Sequence, residues 1–277
     1  MARDKLSVVV ATKDRPASLA ALLTSLVVQN CNPFELVVGL NGQRNWSDQC
    51  EKLCAVLQHV GISVVLIDCR TFSYSETHAA LLRRAQHEFV CRVDDDQVLT
   101  YSYLSTLQAA LRDDLSLSAV GGIVLHPEEH RSKYSPREFT RLLRKLSVAP
   151  CLHTALQLRR HPTNTIRRVP DLYSTFMARK AHINAVGGIA ICYRKCGYRE
   201  ETDLTLRLSM AGYGVAVVPA AVAWHIRANE GGERRSTSRW KLARQENDRI
   251  FRRRFRIWQA VATNRELLQR TFRKRNP

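Results

Sequence analysis

A regular alternation of apolar, β-branched runs with helical stretches occupies the first 96 residues and constrains this chain more than any other feature. LSVVVAT (6–12) reads as a buried strand. Pro16 then opens PASLAALLTSLVVQ, where proline suits the first turn of a helix. ELVVGLN (35–41) reads as a second strand and ends in the turn pair Asn41-Gly42. A helix is expected at about 47–60, with Leu53, Val56, Leu57 and Val60 on one face. SVVLID (63–68) supplies a third strand, a helix is expected at about 76–86, and EFVCRVDDD (88–96) is the fourth strand. Strands joined through helices at this spacing predict an α/β fold with a parallel sheet, because parallel neighbours need long crossover connections.

The second half is less regular. SAVGGIVL (118–125) reads as a strand and HPEEHRSKYSPRE (126–138) as an exposed loop. The stretch from Lys133 to Pro170 carries many Arg and His residues with weak periodicity, and is expected to face substrate. A turn at Gly187-Gly188, a helix at about 201–211 and a last strand, GVAVVPAAVAWH (214–225), follow. RANEGGERRSTS (227–238) reads as a polar loop. Beyond it Trp240, Ala243, Asn247, Phe251, Phe255 and Trp258 recur near helical spacing with arginines between them, the pattern of a basic amphipathic helix.

With 277 residues, the chain has room for one large α/β domain or two small ones. A hydrophobic share of 45% with 25% charged residues suits a folded protein and excludes a disordered one. No run reaches the length of a membrane-spanning helix, and the apolar run near the start is too short for a signal peptide, so the expected location is cytoplasmic. Eight cysteines are scattered without a C-x-x-C pair, which predicts reduced, mostly buried thiols in place of a zinc site or a disulfide framework. The net charge is +18, and residues 227–277 hold 16 Lys and Arg against 5 Asp and Glu. Such a field implies an anionic partner. No specific nucleic-acid signature accompanies it.

Three groups of residues carry chemistry. Asp94-Asp95-Asp96 places consecutive carboxylates at the C-terminal end of a buried strand, where ligands of open α/β sheets bind. Such a cluster needs a cation or hydrogen-bond donors, and hard ions such as Mg²⁺ and Mn²⁺ share oxygen ligands of this kind with phosphates. The bland alternative is capping of the next helix. Glu200-Glu201 opens a helix, where the dipole favours carboxylates; one of them could instead take a proton from a hydroxyl. Trp224-His225 closes the last strand, and the imidazole is either structural or reaches a metal or phosphate.

In order, LSVVVATKDRP, ELVVGLNG, EFVCRVDDDQVL, VGGI, REETDLTLRLSMAGY and VVPAAVAWH resemble the family 2 glycosyltransferases with the GT-A fold, over roughly residues 5–226. The resemblance implies a Rossmann-like, mostly parallel central sheet flanked by helices. It implies a catalytic domain over 1–226, with a nucleotide-sugar half at about 1–100 and an acceptor half at about 101–226. A basic loop and amphipathic helical extension (227–277) would follow. Ala11, Thr12, Lys13 and Arg15 would then lie in the loop that holds the nucleotide, with Asn41, His78, Asp94 and Asp95 also on the donor side. Asp96 and His225 would reach a Mn²⁺ or Mg²⁺ ion, Glu201 would be the general base, and Ser174, Thr175 and Glu200 would lie on the acceptor side. The implied reaction is an inverting transfer from a UDP-, GDP- or dTDP-sugar to a carbohydrate, lipid-linked or other hydroxyl acceptor. The turn L-N-G-Q departs from the family by placing Leu40 where an aspartate is usual, and His78 or Arg83 replaces a phosphate-side arginine.

Two alternatives remain open at this level. A non-catalytic or nucleotidyltransferase-like relative is one; the loop ATKDRPAS, without glycine, is unlike the phosphate loops of nucleotidyltransferases. The other is a polyanion- or membrane-binding protein. The basic C-terminal helix would either dock on an anionic leaflet or pack its aromatic face on the catalytic domain.

Overall fold

The computed structural model describes residues 5–31, 34–43, 46–125, 165–172, 175–226, 228, 231–232 and 238–255. Its strands are β1 (Leu6–Thr12), β2 (Glu35–Leu40), β3 (Ser63–Asp68), β4 (Phe89–Asp94), β5 (Gln97–Leu99), β6 (Leu117–Leu125), β7 (Arg167–Arg168), β8 (Phe176–Arg179) and β9 (Gly214–His225). Its helices are α1 (Pro16–Val27), α2 (Asp48–His59), α3 (Tyr74–Arg84), α4 (Tyr103–Asp113), α5 (Lys180–Ala185), α6 (Glu200–Met210) and α7, over 238–255.

The strands form one sheet in the order β3-β2-β1-β4-β8-β6-β9-β5, with β7 pairing on β9. β3, β2, β1 and β4 are parallel neighbours, as the helical crossovers between them predict. β8 enters antiparallel between β4 and β6, and β6 and β9 are parallel. β5 and β7 run antiparallel to β9. The sheet is therefore mixed and mostly parallel.

Helices cover both faces because the strands are apolar on both. In β1, Val8 and Val10 pack with Leu19, Leu22, Leu23 and Leu26 of α1, beside α2 and α4. Val9 and Ala11 point the other way, to Leu81 and Ala85. Leu204 and Leu208 of α6 and Ile183 of α5 complete that second layer.

Several elements go beyond the sequence expectations. β5, β7 and β8 are too short to show a period. α4 was missed, although Leu104, Leu107 and Leu111 recur at helical spacing. α3 starts at Tyr74 because Ser73 and Glu76 form a reciprocal capping box. β4 ends at Asp94, and Asp95-Asp96 turn the chain into β5. Cys50, Cys54, Cys69, Cys91 and Cys196 are buried, Cys31 is half-buried and Cys192 is exposed; all seven are free thiols. Cys151, Trp258, the 126–138 loop and the stretch 126–164 lie outside the described residues.

β6 and β9 slip in register between Gly121 and Ile123, where β9 carries the extra residues around Pro219. Gly122 allows the slip: a Cβ there would lie 2.6 Å from the Tyr103 ring and closer still to the Ala221 carbonyl oxygen. Gly122→Ala is expected to cost about 2 kcal/mol, as overpacking does. A thermal melt should then fall by about 4–8 °C; an unchanged melting temperature would refute the packing argument.

Candidate active site

The C-terminal ends of β1, β4 and β9 meet at one edge of the sheet. Thr12 ends β1 and its hydroxyl donates to Asp95 Oδ2 at 2.8 Å. Arg15, the residue before α1, donates through Nη1 to Asp95 Oδ1 at 3.0 Å and to Asp96 Oδ2 at 2.8 Å. His225, the last residue of β9, places Nε2 at 3.1 Å from Asp96 Oδ1. The Ile226 amide donates to the Asp96 carbonyl, so the end of β9 is tied to the same turn. Asp95 and Asp96 are only 5% and 8% exposed. Burial pushes the Asp95 carboxyl up to about 7, against the pull of Arg15.

A second cluster lies behind the first. Arg92, in the middle of β4, is buried, and its Nη1 lies 3.3 Å from Asp94 Oδ1. Arg92 Nη2 reaches Glu200 Oε1 at 3.1 Å and donates to the Tyr74 hydroxyl at 3.1 Å. It also lies 3.3 Å from His78 Nε2, which must therefore accept. Burial and then the Arg92 charge hold His78 well below the usual imidazole range, so it is neutral. Burial works against the Arg92 charge too, but Asp94, Tyr74 and Glu200 outweigh it and raise its pKa.

Glu200 and Glu201 open α6. Glu200 is 1% exposed, and burial followed by the neighbouring Glu201 charge pushes its carboxyl well above the usual range. The Oε2 atoms of both glutamates are buried without a hydrogen-bond partner among the described residues. Such atoms are costly unless a ligand uses them. Arg199, just before α6, holds a left-handed φ of 86°, a conformation glycine adopts without strain and arginine does not. Its guanidinium stacks over the Tyr198 and Phe251 rings and pairs with Asp248 at 2.7 Å, which compensates.

Those contacts seat α7. Asn247 Nδ2 donates to the Cys196 and Tyr198 carbonyls at 3.1 and 2.8 Å, Phe255 is buried, and Arg254 pairs with buried Asp203 at 2.6 Å. The inner face of the basic helix thus packs on the loop and helix that carry Glu201. Lys241, Arg249, Arg252 and Arg253 remain exposed.

Of the residues singled out in the sequence, the structure brings Thr12, Arg15, Asp95, Asp96 and His225 into contact. Ala11 is buried in β1, and the Lys13 carbonyl accepts from Gly232 at 2.7 Å. Asp94, His78 and Glu200 gather instead around Arg92. Asn41 turns its amide inward, donating to the Phe72 carbonyl and Thr77 hydroxyl at 2.7 and 3.0 Å. Thr175 is buried and donates to Gln97. Ser174 lies outside the described residues. Arg92 and Tyr74 were missed. The signal for Arg92 was available: an arginine inside the apolar strand EFVCRVD requires a buried partner.

The donor set fits a hard divalent cation: a carboxylate and an imidazole, with a second carboxylate beside them. Among the described residues no three His, Cys, Asp or Glu side chains converge to cage a metal by themselves. Mg²⁺ in particular is commonly held by one or two carboxylates together with substrate phosphates. No helix among the described residues is long and apolar enough to cross a membrane.

Comparison with known proteins agrees with the fold. A family model described as glycosyltransferase like family 2 matches residues 3–252. The chain is similar in fold to GalNAc-T7, solved with UDP, GalNAc and Mn²⁺: 12% identity, 82% of this chain and 44% of that one, TM-score 0.59. It is similar to the mannosyltransferase PcManGT of Pyrobaculum calidifontis, solved with GDP-Man and Mn²⁺: 17% identity, 86% and 60% of the two chains, TM-score 0.55. TarS of S. aureus matches at 16% identity over 82% and 37%, TM-score 0.53. The chain therefore spans between 37% and 60% of the length of these proteins. No curated protein matches it in sequence.

Proposed function

The chain belongs to the glycosyltransferase-like family 2 and has the GT-A fold, and from that premise we propose that it is an inverting, metal-dependent transferase moving a sugar from a nucleotide-sugar to an acceptor hydroxyl. One observation carries the reading: the turn after β4 and the end of β9 meet so that His225 lies 3.1 Å from Asp96, while Glu200 at the start of the Glu201 helix is tied through Arg92 to Asp94, two residues before Asp96.

Asp96 and His225 would hold a Mn²⁺ or Mg²⁺ ion together with oxygens of the donor diphosphate; when bound, the ion supplies positive charge to the leaving nucleoside diphosphate. The end of β1 at Thr12 and the turn from Lys13 to Arg15 bind the nucleotide, whereas Ala11, expected in that loop, is buried in the strand. Glu201 takes the proton from the acceptor hydroxyl as that oxygen attacks the anomeric carbon. The bond from that carbon to the diphosphate breaks on the opposite face, so configuration inverts. Arg92 holds Glu200 at 3.1 Å and, through it, the first turn of α6 from which Glu201 projects.

UDP-, GDP- and dTDP-sugars are the candidate donors, and a carbohydrate or lipid-linked hydroxyl the acceptor. The cysteine pattern supports a cytoplasmic location. The exposed Lys241, Arg249, Arg252 and Arg253 of α7 support peripheral association with an anionic membrane.

A thermal-shift series with each of the three nucleotide-sugars, with and without Mn²⁺, tests the donor side. One nucleotide should stabilise the chain only when Mn²⁺ is present. Stabilisation by none of them would exclude a transferase using these donors.

A further inference from the structure

Asp95 and Asp96 already have a cation on them. Arg15 Nη1 lies 3.0 Å from Asp95 Oδ1 and 2.8 Å from Asp96 Oδ2, while His225 engages the other Asp96 oxygen at 3.1 Å. Both Asp96 oxygens are thus engaged. A guanidinium paired with a carboxylate weakens that carboxylate's hold on a divalent ion, because like charges in a poorly solvated site repel.

Arg15 is well placed to leave for another anion. It immediately precedes Pro16, the first residue of α1, where helix N-termini attract phosphate. A guanidinium also matches phosphate oxygens in a fork that a point charge lacks. Its Nε is buried and makes no hydrogen bond among the described residues, so its present pairing leaves a donor over.

Gly231 and Gly232 pack against the same side chain. Both hold left-handed φ values, 73° and 68°, and the Gly232 amide donates to the Lys13 carbonyl at 2.7 Å. A Cβ on Gly232 would lie 2.5 Å from Arg15 Cζ. Only glycine lets the backbone lie against the guanidinium there.

We infer that Arg15 is a resident counter-cation of the metal seat: it neutralises Asp95 and Asp96 until the donor diphosphate draws it away, so that metal and nucleotide bind as a coupled pair. The inference rests on the metal-dependent reading above. Arg15 is here a positioning residue. It keeps the buried carboxylates compensated, then moves its charge to the incoming phosphates. Linkage makes the coupling reciprocal: nucleotide tightens metal as much as metal tightens nucleotide.

The test is Mn²⁺ binding by the full chain, read from loss of the free-ion electron paramagnetic resonance signal, alone and with UDP or GDP. One nucleotide should tighten Mn²⁺ binding to the unmodified protein by about ten-fold or more. Arg15→Met should bind Mn²⁺ alone about ten-fold tighter than the unmodified protein, with the nucleotide adding less. A merely structural arginine would give the opposite result, weaker metal binding. If Arg15→Met fails to fold, Arg15→Lys serves, since a lysine cannot span both carboxylates with one planar fork; it too should bind Mn²⁺ alone more tightly. Unchanged or weaker Mn²⁺ binding in the folded variant overturns the inference. Equal Mn²⁺ binding with and without nucleotide, in a protein whose transfer Glu201→Gln abolishes, overturns it and leaves the transferase reading standing. Nucleotide-sugar binding with no Mn²⁺ bound in any state removes the metal assignment and the inference together.

Discussion

Glu201→Gln is expected to fold, to bind donor with Mn²⁺ as the parent protein does, and to turn over about 10²–10⁴-fold more slowly. The substitution keeps shape and volume and removes only the basicity. Glu201 sits in the first turn of α6, with Oε2 buried and unpartnered among the described residues, so little structure depends on its charge. The loss should fall on kcat, since deprotonation of the acceptor belongs to the transition state. Turnover measured with saturating donor decides the matter, with a melting curve as control. Undiminished turnover in a folded Glu201→Gln protein would sink the base assignment and move attention to its buried neighbour Glu200.

The second large effect is expected at Asp96. Asp96→Ala should abolish Mn²⁺-dependent nucleotide binding. A nucleotide present at a hundred times its dissociation constant stabilises a protein by about 2.7 kcal/mol. For a chain of this size that is a shift of about 5–10 °C, which the variant should lose. Truncation also strips Arg15 and His225 of a partner, and Asp96 is nearly buried, so the variant itself should melt lower than the parent. Asp96→Asn separates the two effects by preserving volume and hydrogen bonding while weakening metal ligation. A nucleotide-induced shift with Mn²⁺ that survives in both variants would falsify the placement of the metal at Asp96.

Much of the first hundred residues was legible in advance. β1, β2, β3 and β4 are apolar runs of ordinary length, and α1 carries a clear apolar face; in α2 the expected face was misplaced, since Cys50, Cys54 and Leu57 are buried while Val56 and Val60 are exposed. Local pattern suffices where each element is long enough to show its period. The part after residue 100 was harder to read. β8 is four residues long and turns straight into α5 at Lys180, so neither element displays a period. Asn41 and Thr175 show a different limit. Both are polar residues next to chemically interesting positions, and both spend their side chains inside the fold. Polarity in a sequence does not say whether the partner is a ligand or the protein's own backbone.

The basic C-terminal segment illustrates the same division. Its periodicity announced an amphipathic helix, and residues 238–255 form one. That its inner face would seat on Cys196, Tyr198, Arg199 and Asp203, at the start of α6, depended on contacts between residues about fifty apart.

By itself the sequence determined the parallel sheet of β1 to β4, the position of Asp94, Asp95 and Asp96 at its edge, and the helix that opens on Glu200 and Glu201. Each follows from local periodicity, because apolar spacing decides what a segment buries and strand ends decide where ligands reach. Only the tertiary structure decided how those carboxylates are neutralised. Arg15 reaches Asp95 across 80 positions of sequence, and Arg92 reaches Glu200 across 108. The physical reason is electrostatic: a buried charge must be compensated, and any cation near in space satisfies that demand whatever its place in the chain.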